Sequence, residues 1–140
     1  MNLESVHRMP PYCVFCNIVA GNEPANVIYE DDEIIVIQNV LRWVPIMLLA
    51  MTKEHRTQEQ LWSDGIARVG KIASEIGQKV CPRGFRLLSN FGYDAMQSQD
   101  HGHLHIVGGV HLGPYVQTPR PGSAIWRCSF SSTRRKPTVI

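Results

Sequence analysis

His101-Gly102-His103-Leu104-His105-Ile106-Val107, closed by Gly108-Gly109, is the stretch that decides how this chain is read. Side chains alternate faces along a β-strand. Histidines at i, i+2 and i+4 therefore predict a strand over His101–Val107 with three imidazoles on one face. They would stand roughly 7 Å apart, and apolar residues would fill the other face. Three polar rings in register do not make an ordinary core. The residues alone leave three readings open. One is a solvated or internally satisfied strand face. Another is a metal site, because His-x-His on a strand can chelate zinc. The third is nucleophilic catalysis, since a neutral imidazole carries a free lone pair near pH 7.

Outward from that strand, the chain reads as one small domain. Its 140 residues suit a single compact unit, and a hydrophobic fraction of 44% allows a sizeable core. Net charge is only +2, and the basic residues are scattered. That excludes a nucleic-acid polymer or a membrane surface as the expected partner. The longest apolar run, Trp43 to Met51, is interrupted by Pro45 and falls well short of the about 20 residues a membrane span needs. Met1 to Pro10 lacks the apolar segment of a secretory signal, so the expected compartment is the cytoplasm. There the four cysteines are expected as thiols or metal ligands.

Val27-Ile28-Tyr29 and Ile34 to Ile37 are rich in β-branched residues and flank the charged turn Asp31-Asp32-Glu33, which predicts two strands. Pro45 to Met51 reads as a third, buried strand and Phe85 to Leu88 as a fourth. Between them, Leu61, Ile66, Val69, Ile72, Ala73, Ile76 and Val80 recur at helical spacing. That pattern predicts one helix over Gln58–Val80, closed by Pro82 and Gly84. Asn90 to Asp100 reads as a polar loop. The order predicts an α+β domain over 12–112, with a mainly antiparallel five-stranded sheet and one main helix. Residues 113–140, rich in Pro, Ser and Arg, read as a loosely ordered tail.

The motifs together resemble the histidine triad (HIT) superfamily, whose signature is His-φ-His-φ-His-φ-φ with φ apolar. Leu104, Ile106 and Val107 fit, and Gly102 is an imperfect φ. Gln97-Ser98 lies just upstream, as in the family. Cys13-Val14-Phe15-Cys16 with the following Val27 to Asp32 looks like the family's opening, and Lys53-Glu54-His55 resembles its Pro-Lys-x-His element, here with Thr52 for the proline. The resemblance spans about residues 12 to 110.

It implies a nucleotide hydrolase or transferase in which His103 attacks the α-phosphorus and forms a nucleotidyl-histidine intermediate. His105, Ser98 and His101 would complete the catalytic set. Asn90 and Gln97 would bind near the phosphate, and Asn39 would meet the ribose hydroxyls. Phe15, Ile18, Ile37, Val40 and Leu49 would wall the purine, each of them otherwise an ordinary core position. The Hint-like phosphoramidase branch is favoured slightly over dinucleoside polyphosphate hydrolysis. A non-catalytic nucleotide-binding protein is the rival from another class. The resemblance further implies a structural zinc held by Cys13, Cys16, His55 and His101, and a homodimer that joins sheets edge to edge. One departure stands out. The family's fourth histidine, in a Pro-x-His context, is replaced here by Met47 in Pro45-Ile46-Met47.

Overall fold

A computed structural model describes residues 12–114. The segment expected as a tail lies almost entirely outside the described residues, as do Cys128, Trp126 and His7. Five strands form one sheet in the order β1-β2-β3-β5-β4: β1 Val27–Glu30, β2 Ile34–Gln38, β3 Ile46–Thr52, β4 Phe85–Leu88 and β5 His103–Gly108. All four pairings are antiparallel. Three α-helices, α1 Val14–Val19, α2 Gln58–Asp64 and α3 Ile66–Val80, and one 3-10 turn, Tyr93–Ala95, complete the described fold.

The strand alternation sorts side chains onto two buried faces. Ile34, Val36, Leu48, Ala50, Leu104 and Ile106 point toward α2 and α3, where Leu61, Val69, Ile72 and Ala73 complete the larger core. Burying a Leu104 or Ile106 side chain contributes about 1.5–3 kcal/mol. Ile35, Ile37, Leu49 and Met51 face the other way and pack with Phe15 of α1. A strand covered on both faces loses the alternation of a half-exposed one. For that reason β2 and β3 read as almost unbroken apolar runs.

The charged turn before β2 is built on Asp31. Its Oδ1 accepts the Glu33 and Ile34 N–H groups at 2.8 and 2.7 Å, and its Oδ2 accepts the Tyr29 hydroxyl at 2.7 Å. The Tyr29 hydrogen bond and these backbone donors hold the Asp31 carboxyl down at about 2.

Three expectations need correction. The predicted single helix is broken at Gly65, which ends α2 and starts α3. A short helix, α1, stands where none was expected. The third departure concerns the histidine strand itself: β5 begins at His103, not His101. Gly102 is the reason. Its N–H donates to the Arg56 carbonyl at 2.6 Å, and a Cβ there would stand 2.7 Å from the Thr57 carbonyl oxygen and 3.1 Å from Gln58 Cα. The chain is thus pulled against the first turn of α2, and only a residue without a side chain fits. His101 leaves the ladder at this point, while His103 and His105 share one face of β5.

Gly102→Val is expected to push this segment off α2 and to destabilise the fold by roughly 1–3 kcal/mol. A fall in the urea midpoint with an unchanged denaturant slope would register it; an unchanged midpoint would refute the close approach.

Candidate functional site

The β3–β5 register places His103 opposite Met51 and His105 opposite Leu49. Both rings therefore rise from the sheet face that α1 covers. Phe15 meets the His103 ring edge-on, with centroids 5.3 Å apart, and the His103 and His105 rings lie 4.9 Å apart. His103 is 5% exposed. Its Nδ1 lies 2.8 Å from the His101 carbonyl oxygen. A carbonyl only accepts, so Nδ1 carries the proton and the lone pair is on Nε2. Burial lowers the pKa of His103 and takes that of His105 down to about 4, so both rings are neutral at pH 7.

The backbone of His103 is held by a residue that sequence reasoning missed. Gln58, fully buried at the start of α2, accepts the His103 N–H through Oε1 at 2.9 Å. Its Nε2 donates to the His103 carbonyl at 3.3 Å and to the Asn90 carbonyl at 3.2 Å. Ser89 Oγ donates to the same His103 carbonyl at 2.9 Å. The side chain of Gln58 thus ties helix, strand and loop together at the level of the His103 ring.

Two cavities open on the His103 and His105 rings, and Ser98 lines both. The first, of about 930 Å³, brings together Phe15, Ile18, Ile37, Asn39 and Leu49, all expected at a purine wall or ribose site. Val40 borders it as well, but at 93% exposure it is a rim residue rather than a wall. Asn39 is 7% exposed and its Oδ1 accepts the Leu41 N–H at 2.9 Å. The charged Arg42 also borders this cavity, a position that sequence reading did not single out.

Asn90 and Gln97 line the second cavity instead, of about 480 Å³. The Gln97 amide is engaged within its own loop, accepting the Gly92 N–H at 2.8 Å and donating to the Gln99 carbonyl at 3.2 Å. Met47 lies in this second wall. Its sulfur accepts the Trp43 N–H at 3.1 Å.

His101 lines neither cavity. It is 1% exposed, and its Nε2 donates to the Thr52 carbonyl at 2.8 Å, which leaves the Nδ1 lone pair turned to the cysteines. Nδ1 lies 3.5 Å from Cys13 Sγ and 3.6 Å from Cys16 Sγ; His55 Nδ1 lies 3.3 Å from Cys16 Sγ. The four ligand atoms all fall within 4.8 Å of one another. A tetrahedral metal with M–S near 2.3 Å and M–N near 2.05 Å would set S···N edges of about 3.6 Å, so the donors fit. His55 Nε2 is 3.8 Å from an Asp100 carboxylate oxygen. Each histidine thus turns its second nitrogen toward an oxygen acceptor, which is how metal-ligating imidazoles are oriented. The four residues could bind a metal ion. With only the protein groups present, burial and the neighbouring Cys13 push the Cys16 thiol up to about 11.

The comparisons agree with this architecture. The family described as "Scavenger mRNA decapping enzyme C-term binding" matches residues 12–118. "Protein hit" of Bacillus subtilis is 32% identical over 100 residues, covering 68% of this chain and 69% of that protein. "Protein HitA" of Neisseria gonorrhoeae is 31% identical over 104 residues, covering 69% and 94%. Among solved structures, a HIT family hydrolase from Clostridium thermocellum superimposes with a TM-score of 0.70 at 30% identity, covering 78% of this chain and all of that one. A histidine triad protein from Clostridium difficile gives a TM-score of 0.70 at 26% identity, covering 77% and 99%. The chain belongs to the histidine triad superfamily. Its α+β fold with a five-stranded antiparallel sheet is the one that superfamily implies. Among the described residues no helix is long and apolar enough to cross a membrane.

Gln58→Met keeps the side-chain volume and removes the clamp. It is expected to cost about 1–3 kcal/mol, because buried His103 backbone groups lose partners. Thermal unfolding of the variant measures this; an unchanged Tm would show that the clamp carries no stability.

Proposed function

We propose that this chain is a cytoplasmic nucleotide hydrolase or transferase that cleaves the α-phosphorus bond of purine nucleotide phosphoramidates or polyphosphates through a nucleotidyl-His103 intermediate. The observation that carries the reading is the His103–His101 hydrogen bond, which fixes the His103 lone pair on Nε2 in a ring bordering both cavities. The Clostridium thermocellum neighbour, which is named a HIT family hydrolase, supports it at the level of reaction class.

In the first step the Nε2–P bond forms as the bond to the leaving group breaks. The departing nitrogen or oxygen takes the bonding pair and gains a proton from solvent, with the Ser98 hydroxyl beside it. In the second step water adds to phosphorus, gives up a proton and displaces Nε2, releasing the nucleoside monophosphate. His105, a neighbouring neutral N–H donor, would stabilise charge on the phosphate oxygens, and Asn39 would bind the ribose. Asn90 and Gln97 stand by the second cavity, closer to a leaving group than to a base. His101 serves the reaction by position, through its carbonyl and not its ring.

Phosphoramidates are favoured over dinucleoside polyphosphates. A non-catalytic nucleotide-binding role is the alternative, motivated by Met47 where the family resemblance implies a fourth histidine. Adenosine phosphoramidate turnover decides between them. His103→Ala is expected to lower kcat by at least about a thousandfold, and peptide mass spectrometry of quenched wild-type enzyme should find the nucleotidyl group on residue 103. Tight AMP binding without turnover would leave the binding role.

Cys13, Cys16, His55 and His101 are proposed to hold one structural zinc, fastening α1 to the segment before β5. The thiols being free rather than paired suits a reducing compartment. Purified protein is expected to contain zinc at a one-to-one ratio, lost in Cys13→Ser and retained in His103→Ala. Zinc lost from the second variant would reassign the ligands. A homodimer is proposed through the outer edge of β4, which among the described residues ends the sheet and carries the part-exposed Leu87 and Leu88.

A further inference from the structure

The second cavity differs in chemistry from the first. Among the described residues, none of the side chains lining it is an Asp, Glu, Lys or Arg, whereas Arg42 borders the first. Beyond the shared histidines, Ser98 and Leu41, its walls are mainly Trp43, Val44, Met47, Val107 and Leu112, with the uncharged amides of Asn90 and Gln97 among them. Met47 and Val107 face each other across the β3–β5 pair, on the same sheet face as His103 and His105. This is the position where a histidine would have supplied a polar wall. The Met47 sulfur is taken up instead by the Trp43 N–H, which anchors the turn carrying Leu41 and Trp43 beside the cavity.

Two further observations concern its mouth. Trp43 and Met96 are 71% and 72% exposed, although both border the cavity. Met96 is also the one described non-glycine residue with positive φ, at 60°. An L residue adopts that conformation at a cost, so the surrounding loop holds this apolar side chain at the opening against a local preference. Large apolar side chains left exposed around a concave, uncharged space mark a binding site for apolar matter.

We propose that this cavity receives the leaving group of the substrate, and that the leaving group is an uncharged aliphatic or aromatic one carried on the departing nitrogen. The inference rests on the hydrolase reading above and names its substrate class. The sharing of His103, His105 and Ser98 between the cavities supplies the geometry: with a nucleoside in the larger one and phosphorus at His103, the departing group enters the smaller. A polyphosphate chain would find no cation among the described residues of that wall to offset its charge. A hydrocarbon would lose water against the apolar part of the wall, and each fully buried methylene favours binding by roughly fourfold.

The test uses the full chain and three adenosine phosphoramidates: the unsubstituted one, the heptylamide, and the amide of aminohexanoate. The last two leave with nitrogens of similar basicity, so their ratio reports the pocket and not the chemistry. The heptylamide is expected to exceed the aminohexanoate by at least tenfold in kcat/KM, and Met47→Gln and Trp43→Ser should each bring that ratio toward unity. Equal rates for the two amides, with the unsubstituted compound turned over, overturn the proposal and leave the hydrolase reading standing. A large ratio that neither variant reduces overturns the placement in this cavity. No turnover of any of the three overturns both.

Discussion

The arrangement depends on one short hydrogen bond, from the Gly102 N–H to the Arg56 carbonyl at 2.6 Å. It draws the residues before β5 onto the first turn of α2 and makes the chain bend there. The consequence is a division between neighbouring histidines. His101, upstream of the bend, turns its ring to the cysteines. His103, downstream, enters the ladder and presents its ring to the cavities. Gln58 completes the division from the helix side, because the same first turn of α2 that receives Gly102 also grips the backbone of His103. A continuous strand would have set all three rings in one row. The bend gives two sites, one able to hold a metal ion and one able to hold a substrate.

The sheet tolerates so many histidines on one face because its other face carries the larger core. Leu104 and Ile106 alternate with His103 and His105 and lock β5 to α3. Polar rings on the opposite side are then partnered or packed against aromatic edges: His101 by the Thr52 carbonyl, His103 by the His101 carbonyl and by Phe15. Burial keeps the rings of His103 and His105 uncharged, and an uncharged ring with a defined tautomer is what nucleophilic attack requires. Met47 fits the same economy of polar groups. A hydrogen bond from the Trp43 N–H to its sulfur ties the 43–45 bend to β3, and the cavity wall it belongs to gains no charge from it.

Much of this was legible in the residues. Period two set His103 and His105 on one face, β-branched runs located the strands, and Cys13-x-x-Cys16, joined by the His55 and His101 that the family resemblance implied, pointed to the cluster that the fold assembles. What was not legible depends on contacts distant in sequence. The break at Gly65 is hidden because Leu61 and Ile66 keep the apolar pattern running through it. The α1 helix has six residues, too few for periodicity to register, and its start is capped by the Cys13 side chain, an uncommon cap. Gln58 looks like a solvent-facing helix residue; only its meeting with His103 and Asn90 makes it a buried clamp. The imperfect apolar position at Gly102 reads as a departure from a motif until the Thr57 carbonyl is seen where a Cβ would lie.

The six residues of α1 carry two attachments on one body. Cys13 and Cys16 bracket the turn that faces the His55 and His101 rings, while Phe15 and Ile18 on the same turns border the large cavity. No rigid shift of that helix can change the grip at one attachment without changing the floor of the other. The cysteine end and the cavity end are two arms of one lever, with Phe15, seated edge-on against both His101 and His103, as its fulcrum.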